Sequence, residues 1–77
     1  MTDYAAIRRI SEEFNNEIRR RIAKGDADAI HSLKLSCKGW TSGDQAKLFR
    51  NKGARKHAAI IELLEKNAQE MKTAFGA

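Results

Sequence analysis

Between Asp3 and Lys24 the apolar residues Ile7, Ile10, Phe14, Ile18 and Ile22 recur at spacings of 3, 4, 4 and 4. At about 100° per residue they share one face about 120° wide, which predicts an amphipathic helix. Thr2 or Asp3 supplies its N-cap, and Gly25 supplies a left-handed residue to end it. Arg9 with Glu13 and Glu17 with Arg21 stand four apart, so most of the charge forms a self-neutralised, solvated face. Arg21 is the exception, because its angle falls inside the apolar stripe.

Asp26 and Asp28 offer a cap and a dipole-compensating charge for a second helix, with Ile30, Leu33 and Cys37 on its apolar face and Gly39 as its stop. Leu33, Leu35 and Cys37 also alternate with Lys34, Ser36 and Lys38, a period of two that suits a strand over 33–38. No second strand candidate exists to pair with it, so helix is the expectation unless a dimer supplies the partner. Ser42 with Gln45 reads as a capping box, and Thr41 with Asp44 gives the same signal one residue earlier. The helix that starts there carries Ala46, Leu48 and Phe49 towards Gly53, which either ends it or marks a weak point in a longer one. From Ala54 onward Ile61, Leu64, Ala68, Met71 and Phe75 follow a 3, 4, 3, 4 spacing, the pattern of a helix seam, with Glu62 and Lys66 as a supporting pair. This seam is expected to pack on the first helix or on its own symmetry mate.

Composition agrees with helix. There is no Val or Pro and little Thr, while Ala, Glu, Lys, Arg and Leu abound. The fold class is therefore all-α: a single domain over 1–77, a compact bundle of three or four short helices. The first and last helices should form the core beneath a basic central surface. Large apolar side chains are few for a domain of 77 residues, which leaves room for a homodimer or a partner surface to complete the core.

Charge is unevenly distributed. Residues 1–33 balance and residues 58–77 sum to −1, whereas residues 34–57 hold seven bases (Lys34, Lys38, Lys47, Arg50, Lys52, Arg55 and Lys56) against Asp44 alone, so the whole net charge of +5 originates in this middle segment. A concentrated excess of this kind attracts a polyanion. The lone Cys37 forms no internal disulfide and points to a reducing compartment. No apolar run approaches the roughly 18 residues of a membrane span, and the acids Asp3, Glu12 and Glu13 fit neither a signal nor a transit peptide. The expected location is the cytoplasm.

Little points to catalysis. His31 and Cys37 are six apart, about 120° around a helix, and His57 stands beside Lys56 where it joins the basic surface or the seam. No Cys or His pair has zinc-ligand spacing, Gly43 and Gly53 lack the flanks of a phosphate loop, and Glu12 and Glu13 face different ways. The expectation is a non-enzymatic protein with no cofactor and no metal.

The leading reading is a small regulatory protein that binds nucleic acid, DNA or RNA, through residues 34–57. In its sharper form, helices on either side of Gly39 make a helix-turn-helix. Ser42, Gln45 and Thr41 then face base edges with Lys47 and Arg50 near phosphates, while the broader reading counts Lys34, Lys38, Lys52, Arg55 and Lys56 among the binding residues as well. Leu35, where that motif takes a small residue, and Gln45, where it takes a buried β-branched one, depart from it. Trp40 is expected in the core under the turn, although it could stack on an unpaired base or anchor a protein interface. The alternative is a protein-protein inhibitor or adaptor, of the sort phage and mobile elements encode, with Trp40, Arg50 and Arg55 docking on an acidic host protein or nucleoprotein surface.

Overall fold

The computed structural model describes residues 1–77, which form four helices: α1 (Tyr4–Ala23), α2 (Ala27–Cys37), α3 (Ser42–Gly53) and α4 (Ala58–Gly76). Each start and stop has a local cause. Asp3 caps α1 by accepting from the Ala6 amide at 3.0 Å, and Asp26 caps α2 through the amides of Asp28 and Ala29. Thr41, rather than Ser42, caps α3 by accepting from the Asp44 amide. His57 precedes α4 without a side-chain cap, because its imidazole is engaged elsewhere.

Helices α1 and α2 end in the same way. Gly25 at φ +81° and Gly39 at φ +89° occupy the left-handed position, and their amides bond back to Ile22 and Ser36. The next amides, Asp26 and Trp40, reach the carbonyls of Arg21 and Leu35 at 3.0 Å, which completes a Schellman motif at each end. Gly53 lies at φ +152°, so the interruption between α3 and α4 is a true break. The segment over 33–38 is helix within α2, not strand.

The cluster of buried side chains draws on every helix: Ile18 of α1, Ala29 and Leu35 of α2, Ala46 and Phe49 of α3, and Ile60, Ile61 and Leu64 of α4. The core is therefore not the preserve of the first and last helices. Phe49 and Leu64 are fully buried at its centre, with Phe14, Ile22, Leu48 and Leu63 packed around it. Helices α1 and α4 run antiparallel: the Asp3 amide donates to the Ala74 carbonyl at 2.9 Å at one end, and Arg21 reaches the Ala59 carbonyl at 3.3 Å at the other. Arg21 thus lies beside the apolar stripe, as its position in sequence implies, with Glu17 as its ion-pair partner at 2.9 Å.

Two apolar faces differ from the sequence expectation. On α2 the buried set is Ala29, Ser32 and Leu35, while Ile30, Leu33 and Cys37 point outward. On α4 the buried set is Ile60, Ile61, Leu64, Asn67 and Ala74, a seam rotated by about one residue towards its C-terminal end. Phe75 is 59% exposed as a result. Ile61 and Leu64 are covered within the single chain, so the seam is used inside the monomer and a dimer is not needed to bury it. Glu62 and Lys66 do not form the expected ion pair. No helix is long and apolar enough to cross a membrane.

Candidate nucleic-acid interface

Gln45 organises the connection between α2 and α3. It is 1% exposed, and its carbonyl oxygen accepts from Ser32 Oγ at 2.6 Å. Its amide nitrogen donates to Ser36 Oγ at 2.9 Å and to the Trp40 carbonyl at 3.1 Å. A buried amide is tolerated only when its donors and acceptor are satisfied, and here one residue ties two α2 serines to the turn that follows them. Gln45 is therefore not available to a base edge, which corrects the role expected of it. Ser42 is also occupied, because its hydroxyl donates to the side-chain oxygen of Asn67, itself buried on α4. The specific base-reading geometry of a helix-turn-helix loses both of these side chains.

Below this polar bridge lies an aromatic and charged stack. The Phe49 ring has the His31 imidazole edge-on at 5.3 Å and the His57 imidazole tilted at 5.3 Å. His57 Nδ1 donates to Asp28 Oδ2 at 2.8 Å, with both side chains largely covered. His57 thus belongs to the seam between α2 and α4 and not to the basic surface. Neither Ser32, Asn67 nor Asp28 is marked out as functional by sequence. The one sequence signal is a pair of small polar residues, Ser32 and Ser36, one turn apart on α2.

The seven central bases are all exposed, but they do not share one face. Arg50 turns towards α4 and forms a bidentate bond to Glu65 through Nε and Nη2, each at 2.9 Å. That cation is neutralised where it stands. Lys47 lies on the side of α3 away from Gln45 and Phe49. Lys52 of α3 lies near enough to His31 for its charge to act on the imidazole, as do those of Lys34 and Lys38 on α2 itself. Burial against Phe49 lowers the His31 pKa from its usual 6.5, and the positive fields of Lys52, Lys34 and Lys38 lower it further against the opposing field of Asp28. Arg55 and Lys56 sit in the turn between α3 and α4. Lys34, Lys38, Lys47, Lys52, Arg55 and Lys56 take no part in the ion pairs of the molecule.

Trp40 is 40% exposed, so it is a surface residue and not the buried core residue expected under the turn. Ile30 at 38% and Leu33 at 45% lie on the outer face of the preceding helix, with Cys37 on the same stripe. No group of three or more His, Cys, Asp or Glu side chains is placed to hold a metal ion. A separate groove between α1 and α4, of about 520 Å³, has Phe14 and Leu63 on its floor and Glu13, Glu17, Arg20 and Arg21 on its rim. Glu17 there is held below its usual carboxylate range by hydrogen bonds from Arg21 and then Arg20. Compared with family models, curated proteins and solved structures, the chain matches none.

Proposed function

We propose that the protein is a non-enzymatic binding module that holds the phosphate backbone of a nucleic acid against the α2–α3 hairpin and the turn after it. The observation that carries this reading is that Lys34 and Lys38 of α2 and Lys47 and Lys52 of α3 are all exposed and none has an ion-pair partner. The cations that are paired, Arg8, Arg9, Arg20, Arg21 and Arg50, are all arginines, and all but Arg50 lie on α1, outside the basic segment. A set left unpaired and held together by two helices suits an external polyanion. Because Gln45 and Ser42 are consumed by the fold, the binding is to backbone and not to a base sequence.

The experiment is a salt titration of binding. Removing one phosphate-binding cation should reduce the slope of log K against log salt by about 0.7 to 0.9. Lys34→Glu with Lys52→Glu should therefore flatten it by about two such steps, whereas Arg50→Ala, which removes an already neutralised cation, should leave it nearly unchanged. Absence of wild-type binding to both DNA and RNA at about 50 mM salt rejects the reading.

A second reading rests on a different observation, the open apolar stripe of Ile30 and Leu33 beside Lys34 and Lys38. Its chemistry suits an amphipathic protein helix with an acidic border, as an inhibitor or adaptor would engage. Leu33→Glu should abolish capture of such a partner while sparing phosphate binding.

A further inference from the structure

The open side chain of Trp40 is unusual for this molecule. It is the largest apolar residue of the chain and the only tryptophan, yet the core closes without it. It follows Gly39 in the Schellman turn, a position that commonly lays an apolar side chain over the last turn of the preceding helix. Of its surface, 40% faces solvent.

Its backbone is fixed on both sides. The Trp40 amide donates to the Leu35 carbonyl at 3.0 Å, and its own carbonyl accepts from the buried Gln45 amide at 3.1 Å. Gln45 is in turn held by Ser32 and Ser36. An aromatic side chain on so fixed a backbone has only its two side-chain torsions to lose when something packs on its open part. Lys38 caps α2 within the same turn, and Lys34 lies one helical turn earlier, a rise of about 6 Å along the helix. The single acid of this region, Asp44, is in the first turn of α3, and no base lies within ion-pair distance of it.

A half-open indole on a fixed backbone, in the same turn as the unpaired Lys38 and one helical turn from Lys34, is what an unstacked base and its flanking phosphates require. A duplex hides its base faces, so only a single strand can use the indole. Reading a duplex from α3 would instead call on Ser42 and Gln45, which are bonded inside the fold. We propose that the nucleic acid held by this hairpin is single-stranded, with one base stacked on Trp40 and the neighbouring phosphates on Lys38 and Lys34. This rests on the backbone-binding reading above and adds the class of strand and the residue that recognises it.

The sole tryptophan provides its own probe. The wild-type protein is titrated with an oligothymidylate of about 12 nucleotides, with a duplex of equal charge, and with inorganic polyphosphate, which has charge but no bases. Stacking predicts that the oligothymidylate quenches Trp40 emission and the polyphosphate binds without quenching. It also predicts that the duplex binds more weakly than the single strand. Trp40→Leu, which keeps apolar bulk at the turn, should weaken the single strand by about 5- to 150-fold and leave polyphosphate affinity unchanged. Trp40→Phe should retain part of the preference, and circular dichroism of both variants should match the wild type.

If single strand, duplex and polyphosphate all bind and Trp40 emission does not respond, or Trp40→Leu binds the oligothymidylate as well as the wild type, the stacking proposal is overturned and backbone binding stands. If none of the three binds, backbone binding itself fails. If Trp40 is instead protected only by a protein partner, with no response to any nucleic acid, the indole serves the second reading and the stacking proposal is again overturned.

Discussion

Ser32 on α2 donates its hydroxyl proton to Gln45 on α3 at 2.6 Å, and both side chains are almost wholly buried. The backbones of these two helices approach at few positions, so this polar bond acts with the His31–Phe49 ring contact to hold them together. Gln45→Ala leaves the Ser32 hydroxyl without its acceptor and the Trp40 carbonyl without its side-chain donor. Thermal or denaturant unfolding should show a destabilisation of about 1 to 3 kcal/mol. The same variant should not change preference among nucleic-acid sequences, because Gln45 does not face the ligand.

The rotated seam of α4 makes a paired prediction. Leu64→Ala should cost about 2 to 5 kcal/mol, since Leu64 is fully buried among residues of the shared core. Phe75→Ala, at the last position of the same sequence pattern, should change stability by less than about 0.5 kcal/mol because its ring is largely in solvent. Equal destabilisation at the two positions would place the seam where the spacing alone puts it.

His31 gives the pH dependence. Its pKa is lowered in the folded chain, chiefly by burial and next by Lys52, so the folded state binds a proton less readily than the unfolded state. Stability should be full above about pH 6.5 and decline as the pH falls below it, until the folded His31 also protonates. His31→Gln should flatten that part of the profile. A phosphate drawn towards Lys34, Lys38 and Lys52 offsets their field, so nucleic-acid binding should take up a proton at a pH below the usual imidazole range, measurable as a buffer-dependent heat of binding.

Gly53 tests the break between α3 and α4. Its φ of +152° is strained for any side chain, and an added Cβ would come 3.5 Å from the Lys56 Cβ. Gly53→Ala should therefore destabilise by about 1 to 3 kcal/mol, despite the higher helix propensity of alanine. Stabilisation instead would show that α3 and α4 join readily into one helix.

The helices were legible where apolar spacing and caps agreed. Ile10, Phe14 and Ile18 mark the inner side of α1, and Asp3, Asp26, Gly25, Gly39 and Gly53 stand at the boundaries they suggest. The face of α2 was not legible, because hydrophobicity favours Ile30 and Leu33 while the core admits Ser32 through its bond to a glutamine 13 residues away. No local pattern reveals a partner that far along the chain. The α4 register failed for a related reason. Asn67 is buried through Ser42, and Phe75 lies where α1 has only just begun, with Thr2 bonded to its carbonyl and little helix left to cover its ring. The unpaired lysines were visible in composition, but the pairing of Arg50 with Glu65 depends on an α3–α4 approach that sequence does not show.

The hydrogen bond from Asp3 to Ala74 brings the two ends of the chain side by side. A linker of a few residues could therefore join them into a circular backbone without disturbing a helix. Cyclisation would restrict the unfolded ensemble far more than the native one, and by analogy with a crosslink closing a loop of similar length it would raise stability by up to about 4 kcal/mol. The basic turn at Arg55 and Lys56 lies by the opposite ends of α1 and α4, so a cyclic form would leave these exposed cations undisturbed while offering exopeptidases no terminus from which to begin.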